Sequence, residues 1–537
     1  MRLIPDDPFP EIGNPLSADV SADGRWIAVS CLTGGRNDLG RVMIYRTSDL
    51  ALWDQIVLEQ SVEWLAFHPV VPVLAVGTED GDEFALRGGL HLYEPETRRR
   101  TDVAVAGVGV TALCWRDARR LEVTFAEPVI DFDDPGRVTW TRAVVKRDDW
   151  HGVTADVLAA QISWPQVSVK VDGSSIRGPR ITRPQRYLAD LAAKRGRAWT
   201  RRPGTSVVEV LSDGRMLVSV LTGALLECWS PDGALLWSVP APDDPFQRSG
   251  CRLYVTPDEE SVWLPVTKGD SGNPRTLLRR FALADGTQLA EQLHDFPVAI
   301  AARTDGAWVA RDSREVFPGP SWPPHDSVML TPFGRQLATL PLGESGTSYD
   351  FRVRRSPYLL FLYGVGSADL SYGVGAADVR TELLEKWVVL AEPGWIERLF
   401  PLAWDDSLGP CLHGGPAVYV DDEAGPGIVH TCTARDTTYL VRRAYPGGAV
   451  VWVHHFGAQV TGVDVHDGLV HAVTGVGSCE LLTLRAAEGT VVRRGTLAIG
   501  GHVYTPTGLS AAPDGDLVIG TVEGRLIRMR APDCAFR

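Results

Sequence analysis

A short apolar strand, an acidic turn and a second apolar strand recur about every 45 to 50 residues along nearly the whole chain. The clearest copies are VSADGRWIAVS at Val20–Ser30, VLSDGRMLVSVLTG at Val210–Gly223, AARTDGAWVA at Ala301–Ala310, VDVHDGLVHAVTG at Val463–Gly475 and LSAAPDGDLVIGTVEG at Leu509–Gly524. A fixed period of this length means that each unit is one supersecondary element that buries its apolar faces only against its neighbours. An Asp-Gly pair between apolar runs is a local hairpin signal, because Gly accepts positive φ and Asp caps its own turn.

The turns between first and second strands fall at Asp23, near Pro69–Val70 and near Asp117, then at Asp213, Asp258 and Asp305. They continue near Pro357 and Asp421 and at Asp467 and Asp514. After each of these pairs a third strand, a polar turn and a fourth strand follow, as in RVMIYRTSDLALWDQIVL (Arg41–Leu58) and YLVRRAYPGGAVVWVHHF (Tyr439–Phe456). Four short strands per period with little helix predict an all-β chain of four-stranded β-propeller blades.

The stretch WLAFHPVVPVLAVGTEDGDEFALRGGLHLYEPETRR (Trp64–Arg99) resembles a degenerate WD repeat. The units CWSPDGALLW (Cys228–Trp237) and AYPGGAVVW (Ala444–Trp452) resemble blades of quinoprotein-type propellers, in which a turn Gly is followed by apolar residues and Trp. The resemblance is at the level of the β-propeller superfamily. The Gly-His and Trp-Asp dipeptides that mark WD repeats do not recur as a series. A quinone cofactor in such propellers implies export and a disulfide of adjacent cysteines. This chain carries neither signal, so no cofactor is expected.

About ten units are countable, and the 96 residues from Asp117 to Asp213 leave room for a hidden eleventh. One large ring is the preferred arrangement, with two smaller rings as the alternative, because periodicity does not report closure. The last unit lacks a fourth strand after LIRMRAPDCAFR (Leu526–Arg537), and the segment MRLIP at the other end of the chain is a candidate to supply it. The expected organisation is blades 1 to 3 over residues 1–150, a basic part-helical insertion over 151–204, and further blades over 205–537. The Gly/Ala-rich stretch 364–382 reads as a loop insertion in the last of these.

The insertion His151–Gly204 is where this chain departs from a generic repeat. Ten cations lie between Lys170 and Arg202, opposed only by Asp172 and Asp190, for a local charge of +8 in a chain of −14. Thr182–Gly196 reads as a helix, with Pro184 in its first turn and Gly196 as its C-terminal cap. Tyr187, Leu188, Leu191 and Ala192 form one apolar stripe, and Lys194 and Arg195 suit the last turn. Arg183, Arg186, Lys194, Arg195, Arg197 and Arg201 are the expected partner-binding residues, for an acidic protein surface ahead of nucleic acid. The competing reading is that the stripe packs on the ring and the arginines pair with its acidic rim.

Other constellations are weaker. Seven of twelve histidines (His413, His430, His454, His455, His466, His471, His502) lie in the last quarter, without short ligand spacings. No metal is expected from them. Acidic groups at Asp131, Asp133 and Asp134, and the pairs Asp148–Asp149, Asp243–Asp244, Asp405–Asp406 and Asp421–Asp422 abut Pro or Gly in most cases and read as turn caps rather than a calcium site. The 17 tryptophans sit mostly in strand patterns and are expected in blade cores.

Eight cysteines with no Cys-x-x-Cys spacing read as reduced thiols. Arg supplies 48 of 53 basic residues, a bias that fits a GC-rich bacterial genome. The N-terminus lacks a basic segment followed by an apolar one, and no run approaches the roughly 18 apolar residues of a membrane helix. The expectation is a cytoplasmic, non-catalytic propeller scaffold for protein–protein interaction, with no nucleophile elbow or phosphate loop. The alternatives are a hydrolase or lyase with its site in the mouth of a central channel, and nucleic-acid binding through 170–202.

Overall fold

The computed structural model describes residues 1–31, 40–79, 88–105, 109–128, 138–162, 181, 183–220, 224–240, 253–268, 275–294, 298–302, 308–312, 327–331, 335–340, 349–356, 359–364, 384–389, 396–402, 413–434, 437–475 and 477–530. Contacts divide the chain into two compact units. Unit 1 is Met1–Pro5 with Pro203–Arg537, and unit 2 is Asp6–Arg202.

Among the described residues unit 1 carries seven four-stranded antiparallel blades. Blade I runs from the strand Thr205–Val210 to the strand Leu235–Pro240, and blade II from Tyr254–Val255 to Gln288–His294. Blade III runs from Val298–Ala302 to Gln336–Leu340, and blade IV from Tyr349–Arg354 to Ile396–Leu402. Blade V spans His413–Asp422 to Val450–Phe456, and blade VI Val460–His466 to Val491–Thr496. Blade VII takes Pro506–Ala511, Asp516–Thr521 and Leu526–Arg530, and its fourth strand is Arg2–Ile4.

The blades show why the sequence pattern works. Second strands are mostly apolar and largely buried, as in Met216–Val220, because a neighbouring blade covers each face. Fourth strands lie at the rim and alternate, as in Val491–Thr496. The turn aspartates accept from the backbone N–H two residues on: Arg215 N to Asp213 Oδ1 at 3.0 Å, Glu260 N to Asp258 Oδ1 at 3.0 Å and Asp516 N to Asp514 Oδ1 at 3.1 Å. Two fourth-strand tryptophans dock on the next blade. Trp237 lies where a Cβ on Gly286 would sit 2.7 Å away, and Trp452 lies at 2.5 Å from that position on Gly489. Both glycines have positive φ, so the turn and the indole both require a residue without a side chain.

Ring closure decides the architecture. The innermost strand of blade VII packs against those of blades VI and I, and blade V follows blade IV through a parallel pairing, Val353 with Ala417 and Arg354 with Val418. Arg2–Ile4 pairs antiparallel with the third strand of blade VII, Arg2 opposite Arg528 and Ile4 opposite Leu526. Ile4 is 1% exposed and shares a core with Val208 and Met216 of blade I and Val518 and Leu526 of blade VII. The segment MRLIP therefore closes the ring. The preferred single ring of about ten blades gives way to a seven-bladed ring and a separate unit, because inner-strand packing joins blade VII to blade I directly.

Unit 2 holds three sheets in sequence: Pro15–Val20 to Leu52–Leu58, Ser61–Phe67 to Arg99–Val105, and the three-stranded Gly109–Asp117, Arg120–Pro128 and Val138–Lys146. One core lies between the first and second sheets. A second core joins the second and third sheets to helix α1, Ala155–Ile162. Asp19 Oδ2 on the first sheet accepts from Phe67 N on the second at 2.7 Å. Ten blade-like sheets result, seven in unit 1 and three in unit 2, as many as the turns of the sequence series, of which those at Asp305 and Pro357 lie outside the described residues. Among the described residues no eleventh blade occurs, and the remaining sheet is a two-stranded ribbon of Ala498–Ile499 and His502–Val503. The loop insertion at 364–382 lies outside the described residues beyond Gly364.

Ile4→Ala removes a buried anchor between blades VII and I and is expected to cost about 2 to 5 kcal/mol. Arg2→Ala, at an exposed position, is expected to change stability by less than about 0.5 kcal/mol. Urea unfolding of the two variants measures the difference. Equal midpoints would exclude this role for the first strand.

Candidate functional site

Two places gather polar chemistry, one in each unit. In unit 2 the basic segment is built on helix α2, Pro184–Ala193, with Pro at its start and Arg183 at the N-cap position. Helix α2 is one turn shorter than Thr182–Gly196. Lys194 is its C-cap residue, and Arg195 follows the helix instead of sitting in its last turn. Gly196 has φ +70, and Gly196 N and Arg197 N donate to Ala193 O and Ala192 O, so the chain turns out of the helix through a left-handed residue.

Leu188 and Ala192 are fully buried, and Tyr187 and Leu191 pack with them against Ile27, Met43 and Tyr45 of the first sheet. The apolar stripe is thereby used up inside unit 2. Arg195 Nη2 donates to Thr47 O at 2.9 Å, which ties the helix end to a turn of the same sheet. Arg183, Arg186, Lys194, Arg195, Arg197 and Arg201 are all exposed. None of the six forms an ion pair among the described residues, whereas Arg202 pairs with Asp7 at 3.6 Å. The stripe is packed, as the competing reading expects, but on the first sheet of unit 2 rather than on the ring, and the charges do not pair as that reading expects. Lys170, Asp172, Arg177 and Arg180 lie outside the described residues.

In unit 1 the C-terminal ends of the inner strands meet in a charged hub that sequence inspection missed. Arg354, at the end of the blade IV inner strand, donates through Nη2 to Glu209 Oε2 of blade I at 2.6 Å and Ser510 Oγ of blade VII at 3.0 Å. Its Nη1 donates to Leu509 O at 2.8 Å and Val463 O at 3.4 Å. Arg355 grips Asp464 of blade VI with Nε at 2.5 Å and Nη2 at 2.8 Å, and donates to Ala511 O at 2.7 Å. Asp464 has no exposed surface and also accepts from Ala511 N at 2.7 Å. Ser510 Oγ accepts from Val210 N at 3.0 Å across the closure.

Burial opposes the charge of Arg354, and the Asp464 and Glu209 carboxylates outweigh it, raising its pKa above the ordinary guanidinium value. Burial would likewise raise Asp464, but Arg354 and Arg355 hold its carboxyl below the usual value. His471, opposite Asp464 on the next strand, bonds Thr483 Oγ1 through Nδ1 at 3.0 Å. Burial pushes its pKa down to about 4. A signal for the hub does exist in the sequence: Asp19, Glu209 and Ser510 each stand four residues before a turn Asp, and Asp464 stands three before one. At that offset a polar side chain points from the inner strand toward the next blade.

Above the hub, innermost strands of six blades enclose a cavity of about 200 Å³. Glu209 and Arg354 are at its hub end, and Ser206, Thr461 and Thr507 are at the other. The histidines are not gathered there. His430 is buried against Arg443, His454 bonds Gly489 O and His502 lies beside Tyr504. No group of three potential metal ligands occurs among the described residues. Asp422 is held bidentate by Arg442, and Asp149 caps His151 N, so these acidic pairs act in turns and ion pairs. Asp131, Asp133 and Asp134, with the pairs 243–244 and 405–406, lie outside the described residues.

No family model and no curated protein matches the chain. Among solved structures it is similar to the selenomethionine-substituted virginiamycin B lyase of Staphylococcus aureus. Identity is 11%, over 61% of this chain and 94% of that one, with a TM-score of 0.41. The fold rests on strand order and register, and no residue role passes from that enzyme to this chain. Among the described residues no helix is long and apolar enough to cross a membrane.

Arg354→Leu leaves the Glu209 carboxylate without its guanidinium partner, while Asp464 keeps Arg355, and is expected to cost about 3 to 5 kcal/mol in a denaturant titration. Adding Glu209→Leu should recover part of that loss. A single variant as stable as the parent would show that the hub does not hold the ring. A pH effect follows from His471. Its folded pKa of about 4 lies below the unfolded value of 6.5, so the unfolded chain takes up the proton first. Stability should fall as pH drops from 6.5 to about 4, by about 1.4 kcal/mol per unit of pKa difference. Melting temperatures of the parent and His471→Gln across this range test it. The variant should start lower and show the shallower slope.

Proposed function

We propose that the protein is a non-catalytic propeller scaffold that binds an acidic protein surface through the basic segment of unit 2. The observation that carries this reading is the state of helix α2. Its apolar stripe is consumed by packing, while six cations around it stay exposed without an ion pair among the described residues. Cations clustered around a packed helix favour fast, salt-sensitive association. Protein is preferred to nucleic acid because the chain as a whole carries −14.

The docking of Trp237 and Trp452 on next-blade glycines supports a quinoprotein-like type of blade. The buried Cys31, Cys228 and Cys479, none in a disulfide, and the Arg-rich composition support a bacterial cytoplasmic setting. The catalytic alternative, a hydrolase or lyase, has the axial cavity as its place. Against it, the charged groups at the cavity's end are bonded chiefly to one another.

Replacing Arg183, Arg186, Arg195 and Arg197 by Glu should lower partner recovery from a native lysate by about tenfold or more. The parent's recovery should fall with added salt, and the melting temperature of the variant should stay close to the parent's. Unchanged recovery would refute the reading. Tight DNA or heparin binding by the parent that the variant loses would move the partner class to nucleic acid.

A further inference from the structure

The axial cavity of unit 1 is lined by a carboxylate with one unpaired oxygen, which points to a ligand class independent of the basic segment. Its volume of about 200 Å³ equals the liquid volume of roughly seven waters, below the range of drug-sized sites. Most of the guanidinium donors at its hub end are committed. Both terminal nitrogens of Arg354 are bonded to Glu209, Ser510, Val463 and Leu509, and Arg355 is committed to Asp464 and Ala511.

The acceptors are not spent. Glu209 gives only Oε2 to Arg354, and its Oε1 has no partner among the described residues, with the side chain 20% exposed. At the other end Thr461 donates its hydroxyl to Pro506 O at 3.1 Å, and the Thr507 hydroxyl shares a bond with Thr205 at 2.7 Å. Val207, Leu253 and Leu509 are among the lining residues between the two ends. A carboxylate ligand would face the negative charge of Glu209. A ligand that donates, with an apolar body, meets Glu209 Oε1 and the free lone pairs of the threonine hydroxyls.

We propose that the axial cavity binds a small organic primary ammonium ion, its charged head on Glu209 and its apolar body between the inner strands. The ammonium supplies the donors that the unpaired carboxylate oxygen lacks, and a charge-assisted bond of this kind is stronger than a neutral one. Arg354 acts as a positioning residue that fixes the carboxylate plane through Oε2.

The test uses the full chain and calorimetric titration with three matched probe pairs: n-butylamine and benzylamine, 1-butanol and benzyl alcohol, and butyrate and benzoate. The amines should bind saturably, the alcohols at least tenfold more weakly, and the carboxylates not at all. Glu209→Gln keeps an oxygen for Arg354 and removes the charge, and it should weaken amine binding at least tenfold. Gly508→Ala lines the same cavity and would place its Cβ in ordinary contact, 3.5 Å from Val208 N. It should weaken amine binding without touching Glu209, and its melting temperature confirms folding. Failure of both amines to bind, equal binding by Glu209→Gln, or preference for alcohols or carboxylates would overturn the proposal.

Discussion

Arg354 and Arg355 leave the inner strand of blade IV and end on acceptors from blades I, VI and VII. A blade packs only on its neighbours, so an open stack would be held by adjacent pairs alone. The two guanidinium groups bond across that scheme. Desolvating two cations and two carboxylates is costly, and it is offset only because nearly every donor has an acceptor at hydrogen-bond distance. The same arrangement sets the chemistry above it. The hub leaves one oxygen of Glu209 unpaired among the described residues at the edge of the cavity.

Closure follows a related logic at the rim. The fourth strand of blade VII comes from Arg2–Ile4, so the two ends of the chain are zipped into one sheet. In sequence, residues 6–202 stand between that strand and blade I, yet blade I packs on blade VII. Unit 2 repeats the blade pattern for three sheets and then covers the first of them with helix α2, whose Leu188 and Ala192 fill the space against that sheet. The helix is thus a packing device on one side and a bearer of free charge on the other. The separation of these two faces, with Arg186 about 160° around the helix from Leu188, follows from 3.6 residues per turn.

Much of this was legible in the chain. The spaced Asp-Gly turns and apolar runs gave ten units, and ten blade-like sheets are present among the described residues. The missing fourth strand after Leu526 and the spare strand at Arg2 could be matched from composition alone. The stripe Tyr187, Leu188, Leu191, Ala192 was visible as a packing face. The hub was not. Glu209, Asp464 and Ser510 look like ordinary polar residues near turns, and Arg354 and Arg355 like one more Arg pair in an Arg-rich chain. Their partners lie 109 to 156 residues away, beyond the reach of any local pattern.

The sequence by itself determined the strand content, the hairpin positions, the count of units and the helix with its two faces. These are local properties, set by side-chain period and turn chemistry. Only the tertiary structure decided that seven blades close without the other three sheets, that Glu209 and Arg354 share one axis, and that the six cations of the basic segment stay without an ion pair among the described residues. Those outcomes depend on which sheet packs on which. The repeat leaves that choice open, because each blade offers nearly the same faces to its neighbours.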